Sequence, residues 1–101
     1  MNKYGAMRTY SEICQREFAS KKEATRGEAL TLLERGGKIN HLEYQPKFIL
    51  CKKPKITYKA DFRYIQDGST VVEDVKGVLT RDTRTKLAWL KQLTGIEVKL
   101  V

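Results

Sequence analysis

Ile56-Thr57-Tyr58-Lys59-Ala60-Asp61-Phe62-Arg63-Tyr64, followed by Asp67-Gly68 and then by Thr70-Val71-Val72-Glu73-Asp74-Val75-Lys76-Gly77, is the stretch on which the fold turns. Two runs rich in β-branched and aromatic residues flank Asp-Gly, the strongest short-range signal for a β-hairpin. With Asp67 and Gly68 as a two-residue loop, Gln66 faces Ser69, and counting back along both strands sets Asp61 opposite Asp74. Like charges opposed across a ladder destabilise a sheet, so the pairing calls for a cation between the carboxylates. Asp74 and Lys76 project from the same face, because strand side chains alternate. Hard oxygen ligands suit Mg²⁺, with Mn²⁺ as a substitute, better than zinc. A lysine beside them can orient or deprotonate an attacking water, or neutralise charge on a phosphoryl group. The competing reading is a solvated strand face with unrelated charges, in a chain that is 32% charged.

Composition points the same way. Twenty Lys and Arg against twelve Asp and Glu leave a formal charge of +8 on 101 residues, which favours a polyanionic partner such as DNA. Length and a 41% hydrophobic content fit one domain over residues 1–101 with a modest core. No apolar run approaches the ~20 residues that span a bilayer, and no signal peptide is visible, so the expectation is a cytoplasmic protein with no membrane partner. Cys14 and Cys51 lack metal-ligand spacing and read as free thiols. His41 is the single histidine, which leaves little material for a histidine triad or a zinc site.

Outward from the hairpin, residues 1–17 read as an arm or a weak hairpin near Arg8 to Phe18. Ser20 caps a helix with Glu23 at its third position, and the helix stops at Gly36-Gly37. Glu23 has two readings. Serine and glutamate three apart form a capping box; yet Glu23 lies seven residues before Leu30, on the same stripe, and a core-facing glutamate needs a partner. Glu28, about 140° around the helix at ~100° per residue, reads as a solvated charge. His41 to Leu50 reads as a strand interrupted at Gln45-Pro46, since proline marks an edge or bulge. Gln45 is then either an ordinary polar edge residue or a holder of water or phosphate at the mouth of the site. Cys51-Lys52-Lys53-Pro54-Lys55 is a basic loop. After Gly77 a helix carries Leu87, Trp89, Leu90 and Leu93, Gly95 ends it, and Ile96 to Leu100 alternate as a last, parallel strand. Trp89 reads as core. Arg81, Arg84 and Lys86 enter this helix at its N-terminus, where phosphates are favoured, and with Lys52 and Lys53 are the candidate DNA-backbone contacts.

Asp61, followed after the turn by Asp74-Val75-Lys76, resembles the signature of the PD-(D/E)XK nuclease superfamily. More narrowly, Ser20-Lys21-Lys22-Glu23-Ala24, Gln45-Pro46-Lys47-Phe48, Ala60-Asp61-Phe62 and Glu73-Asp74-Val75-Lys76-Gly77 are similar to motifs of a family of small phage- and prophage-encoded endonuclease-like proteins, in that family's order, over about residues 4 to 100. One departure is Ala60, which stands where the superfamily name has proline. The resemblance implies an α/β, restriction-endonuclease-like core: a mixed β-sheet flanked by helices, in α-β-β-β-α-β order. It implies a Mg²⁺-dependent endodeoxyribonuclease in which Asp61 and Asp74 bind metal, Glu23 completes the shell, the Val75 carbonyl adds a ligand and Lys76 serves the attacking water. A core this small suits shape readout, as of a branched or Holliday-like junction, better than a long specific sequence, and symmetric cutting wants a homodimer. An exonuclease or RNase of the same fold, or a DNA-binding module without catalysis, are the alternatives.

Overall fold

A computed structural model describes residues 7–75 and 79–101. In chain order the elements are β1 (Thr9–Ser11), β2 (Arg16–Phe18), α1 (Lys21–Arg35), β3 (Asn40–Tyr44), β4 (Lys47–Lys52), β5 (Lys55–Lys59), β6 (Phe62–Gln66), β7 (Ser69–Asp74), α2 (Arg81–Thr94) and β8 (Lys99–Leu100). Strands β3, β6, β7 and β8 form a sheet in that order, antiparallel except for the parallel β7–β8 pair. The fold is mixed α/β with two helices. The β1–β2 hairpin and a β4–β5 ribbon are separate two-stranded units.

The central hairpin has the register its sequence dictates. Asp67 and Gly68 both take positive φ, 53° and 79°, as a type I′ turn requires, and Gln66 faces Ser69 while Phe62 faces Glu73. Its first arm, however, is not one strand. The chain breaks at Ala60-Asp61, between β5 and β6, and the partner arm breaks at Gln45-Pro46, between β3 and β4. Ala60 N–H donates to the Pro46 carbonyl at 3.0 Å and Gln45 N–H to the Asp61 carbonyl at 2.9 Å, so the two arms bend together. Unbroken alternation would keep Tyr58, Ala60, Phe62 and Tyr64 on one face. Instead Tyr58 and Ala60 pack with Leu50, Val72 and Leu90, whereas Phe62 and Tyr64 pack with Phe18, Leu30 and Ile39. The expected α-β-β-β-α-β order therefore needs correcting: the bend turns a three-strand meander into five strands. It also draws Cys51, Lys52 and Lys55, expected in a loop, into paired strands.

Helix α1 forms where Ser20 Oγ accepts the Glu23 N–H at 3.1 Å. It buries Glu23, Ala24, Gly27, Leu30 and Thr31 along one stripe. Gly27 is required by the closeness of that packing, since a Cβ there would stand 2.7 Å from Phe18 Cζ. Phe18, Tyr44 and Phe62 meet as a triangle of tilted rings with centroids 5.9 to 6.2 Å apart, an arrangement favoured by ring quadrupoles. The N-terminal hairpin expected near Arg8 to Phe18 is present and folds over α1. It gives Glu28 a partner: Ser11 Oγ donates to Glu28 Oε2 at 2.7 Å, so Glu28 is half-buried rather than solvated. An isolated helix would have left that flank wet, and only the fold-back of β1 covers it.

Helix α2, capped by Thr80 and closed by Gly95 at φ 78°, packs on β4 and β5. Leu90 is buried against the Tyr58 cluster, with Trp89 half-buried beside it. The last strand is shorter than the alternation predicts. Only Lys99 and Leu100 pair, opposite Glu73 and Asp74; Ile96 and Val98 pack into the core from irregular backbone, because the chain leaving α2 must first cross its own cluster.

Glu73, unremarked in the sequence, is fully buried. Arg26 holds it in a two-point fork, Nε to Oε1 and Nη2 to Oε2, each 2.7 Å, and the Tyr64 hydroxyl donates to Oε2. Burial alone would raise its pKa; Arg26 and Tyr64 outweigh burial and hold it below the usual carboxylate value. Burial first, and then the hydrogen bond to Glu73 and its charge, push the Tyr64 hydroxyl up to about 12. A carboxylate with a depressed folded pKa contributes stability that is complete above its unfolded pKa and lost as pH falls through the folded one. Arg26→Met leaves that charge buried beside one hydroxyl, and breaking such a pair costs about 3 kcal/mol or more. Urea denaturation at pH 7 is expected to show that loss, with the difference from wild type shrinking toward pH 3.

Candidate active site

Three carboxyl groups converge at the bend. Asp61 stands at the break between β5 and β6, Asp74 ends β7, and Glu23 projects from the first turn of α1. Asp61 N–H donates to the Glu73 carbonyl at 3.1 Å, but Glu73 already pairs with Phe62, so Asp61 is the extra residue of a bulge and not the next rung expected opposite Asp74; the bend, rather than the ladder, brings its carboxyl to Asp74. The Asp61 carboxyl lies within hydrogen-bonding reach of both Asp74 and Glu23. Asp74 is almost fully buried, Glu23 is 6% exposed, and Asp61 is half-buried.

Each group is held by further contacts. Val75 N–H donates to Asp61 Oδ2 at 2.7 Å. The Tyr58 hydroxyl donates to Asp74 Oδ2. Gln45 Nε2 reaches Glu23 Oε2 at 3.4 Å, from a residue whose φ of 55° is uncommon outside glycine and marks a site the fold over-determines. Glu23 thus completes only half of a capping box: its N–H binds Ser20 Oγ, while its carboxyl turns to Gln45 and Asp61. Ala60 is explained here as well. Its N–H makes the bond to Pro46 that couples the two bends, and proline has no N–H to give.

Electrostatics follow from crowding. Burial, above all, and then the hydrogen bond with Asp74 and the charge of Glu23 push Asp61 up to about 8, against the opposing pull of Val75 N–H. Burial also raises Glu23, opposed by Asp61 and by the Arg16 charge. Burial and the adjoining Asp74 raise the Tyr58 hydroxyl. Asp61 therefore keeps its proton into the neutral range, because like charges this close do not all ionise.

As they stand, no group of three His, Cys, Asp or Glu side chains among the described residues is arranged to hold a metal ion. The donor chemistry still fits a hard divalent cation. The carboxyl oxygens of Glu23, Asp61 and Asp74 are the kind of donor that Mg²⁺ and Mn²⁺ take, and a cation relieves the repulsion that a proton on Asp61 otherwise relieves. The linkage has a checkable sign. A carboxyl with a raised folded pKa contributes stability that is present below its unfolded pKa and lost as pH rises through the folded value. In chelator, the melting temperature is expected to fall between pH 5 and pH 8.5; Mg²⁺ should restore it at pH 8.5 and change it little at pH 5.5, where protons compete. Equal Mg²⁺ effects at both pH values would contradict this.

Of the residues picked from sequence, Glu23, Gln45, Asp61 and Asp74 come together. The contact Val75 makes is through its N–H, to Asp61. Lys76 lies outside the described residues. Lys52 and Lys53 are exposed at the end of the β4–β5 ribbon, and Arg81 and Arg84 are exposed on the first turns of α2. Lys86 is half-buried and paired with Asp82 at 3.5 Å. Sequence parity hides Tyr58, since along an unbroken arm it shares the face of Phe62; only the bend turns it to Asp74. A family model described as a protein of unknown function (DUF1064) matches residues 1–100. No curated protein and no solved structure matches the chain.

Proposed function

The chain belongs to this DUF1064 family, and from the site its residues build we propose that it is a Mg²⁺-dependent endodeoxyribonuclease, a phosphodiesterase of the PD-(D/E)XK type. The observation that carries the reading is the meeting of Glu23, Asp61 and Asp74 at a double strand break, where burial and mutual repulsion hold Asp61 protonated to about pH 8. A fold gains nothing in stability from opposing buried acids. A surface meant to hold polyanionic DNA gains nothing from them either, unless a cation joins them.

In this reading Asp61 and Asp74 hold the metal, with Glu23 and the Val75 carbonyl completing its shell. When bound, Mg²⁺ supplies Lewis-acid stabilisation of phosphoryl oxygen and a lowered pKa for water. Tyr58, donating to Asp74 Oδ2, and Val75 N–H, donating to Asp61 Oδ2, fix one oxygen of each carboxylate and leave the other to turn inward. Gln45 orients Glu23 and can share a water with it. Lys76 is assigned the attacking water, as a base or as a donor to the charge that grows on phosphorus oxygens. Lys52, Lys53, Arg81, Arg84 and Lys86 bind backbone phosphates on either side of the break. Their elements pack on one another, so the ribbon and α2 form one basic support for a bent or branched substrate. Symmetric cutting of such a substrate calls for a homodimer.

The test is cleavage of end-labelled linear duplex, single strand, flap, four-way junction and RNA, each in Mg²⁺, Mn²⁺ and chelator. Metal-dependent internal cuts, fastest on the junction, are expected. Stepwise loss of terminal nucleotides would make it an exonuclease, cuts in RNA alone an RNase, and tight binding with no cleavage in any metal a DNA-binding module.

A further inference from the structure

The N-terminal hairpin brings a cation to the site that the motifs do not contain. Arg16, on β2, lays its guanidinium carbon 4.3 Å from the centroid of Tyr44 and 5.4 Å from that of Phe18. Its Nε is buried with no hydrogen-bond partner. Arginine prefers aromatic faces and carries five donors in a planar fork, so an arginine needed only to cover rings would still be expected to spend a buried Nε–H on a carbonyl or a carboxylate. Here the Nε–H stays unspent, and because it is buried a ligand can reach only the terminal nitrogens of a side chain that is half-buried as a whole.

The hairpin that carries Arg16 is pinned. Ser11 binds Glu28 at 2.7 Å, Arg35 Nη2 donates to the Ile13 carbonyl at 3.1 Å, and Phe18 closes onto Gly27. The ring under Arg16 belongs to Tyr44, whose neighbour Gln45 reaches Glu23. Arg16, Tyr44, Gln45 and Glu23 therefore form a continuous line from the hairpin into the carboxyl cluster. The Arg16 charge acts on that cluster, pulling Glu23 down against the effect of burial.

We propose that Arg16 is a further substrate-contacting residue, whose guanidinium, fixed over Tyr44, donates to a non-bridging oxygen of the phosphodiester held at Glu23 and Gln45. The proposal rests on the phosphodiesterase reading. It makes the N-terminal hairpin part of the active site rather than a cover for α1. A forked contact orients phosphate in a way that a lysine, a point charge, does not.

Arg16→Gln and Arg16→Lys test it, with thermal melting to confirm the fold. Duplex affinity is measured in Ca²⁺ by anisotropy at several salt concentrations, and kcat and KM in Mg²⁺ on the best-cut DNA. Arg16→Gln should lower the log–log salt slope by about one unit, as expected for one lost phosphate contact, and kcat/KM by at least about tenfold. Arg16→Lys should keep the salt slope and still lose several-fold in kcat. A folded Arg16→Gln with the wild-type slope and turnover would make Arg16 an aromatic cover only. Should Arg16→Gln not fold, unchanged kcat in Arg16→Lys overturns the forked contact. If wild type cuts nothing but Arg16→Gln still loses one unit of slope, the nuclease reading fails while the phosphate contact stands; if wild type neither binds nor cuts DNA, both fail.

Discussion

Asp61→Asn and Asp74→Asn are each expected to reduce cleavage by at least ~10³-fold, in the range seen when a charged group that stabilises a transition state is removed. Asparagine keeps the shape and the hydrogen-bond acceptor of aspartate, so Val75 N–H and the Tyr58 hydroxyl keep their partners and the bend at Ala60-Asp61 is preserved. DNA affinity in Ca²⁺-free buffer should stay equal or rise, because each substitution removes negative charge from a surface that faces phosphates. In chelator at pH 8.5 both variants are also expected to melt no lower than wild type, since they take one acid out of a crowded, buried group. Loss of activity with loss of fold would implicate the bend; wild-type activity in either variant would remove that aspartate from the chemistry.

Glu23→Gln separates two roles that share one residue. Glutamine can serve the same position of a capping box, and the bond from the Glu23 N–H to Ser20 Oγ is main-chain on the helix side. The helix should form as before. What changes is the carboxyl at the meeting point with Asp61 and Gln45, and activity is expected to fall by ~10²-fold or more with KM little altered. Gln45→Ala, which frees the Glu23 carboxyl without removing it, should cost less than Glu23→Gln. Wild-type kcat in Glu23→Gln, with helix content unchanged by circular dichroism, would return Glu23 to a capping role.

What the sequence made legible was whatever local rules control. Asp67-Gly68 specifies a type I′ turn, and the turn specifies the register from Gln66 and Ser69 to Phe62 and Glu73; counting one step further to Asp61 and Asp74 names the right pair of acids, but a bulge at Asp61 replaces that rung. Ser20 and Glu23 mark the start of α1, and Gly95 the end of α2. What it hid was set by contacts distant in the chain. Pro46 announced a break in one arm, but the matching break at Ala60 follows from pairing with Pro46, and that pairing alone swings Tyr58 from the Phe62 side to Asp74. Glu28 looked wet until β1 covered it, and Glu73 looked like one more strand charge until Arg26, forty-seven residues earlier, reached it. Arg16 carried no pattern at all: nothing in its neighbours announces that it will lie over Tyr44.

Metal binding tests the central claim more directly than cleavage does, because it does not depend on offering the right DNA. Mn²⁺ titrated calorimetrically into wild-type protein at pH 8 should give saturable binding accompanied by proton release, seen as a heat that varies with the ionisation enthalpy of the buffer. The Asp61→Asn, Asp74→Asn double variant should give neither. Absence of binding in the folded wild type, or identical binding in the double variant, would contradict a metal site at Asp61 and Asp74.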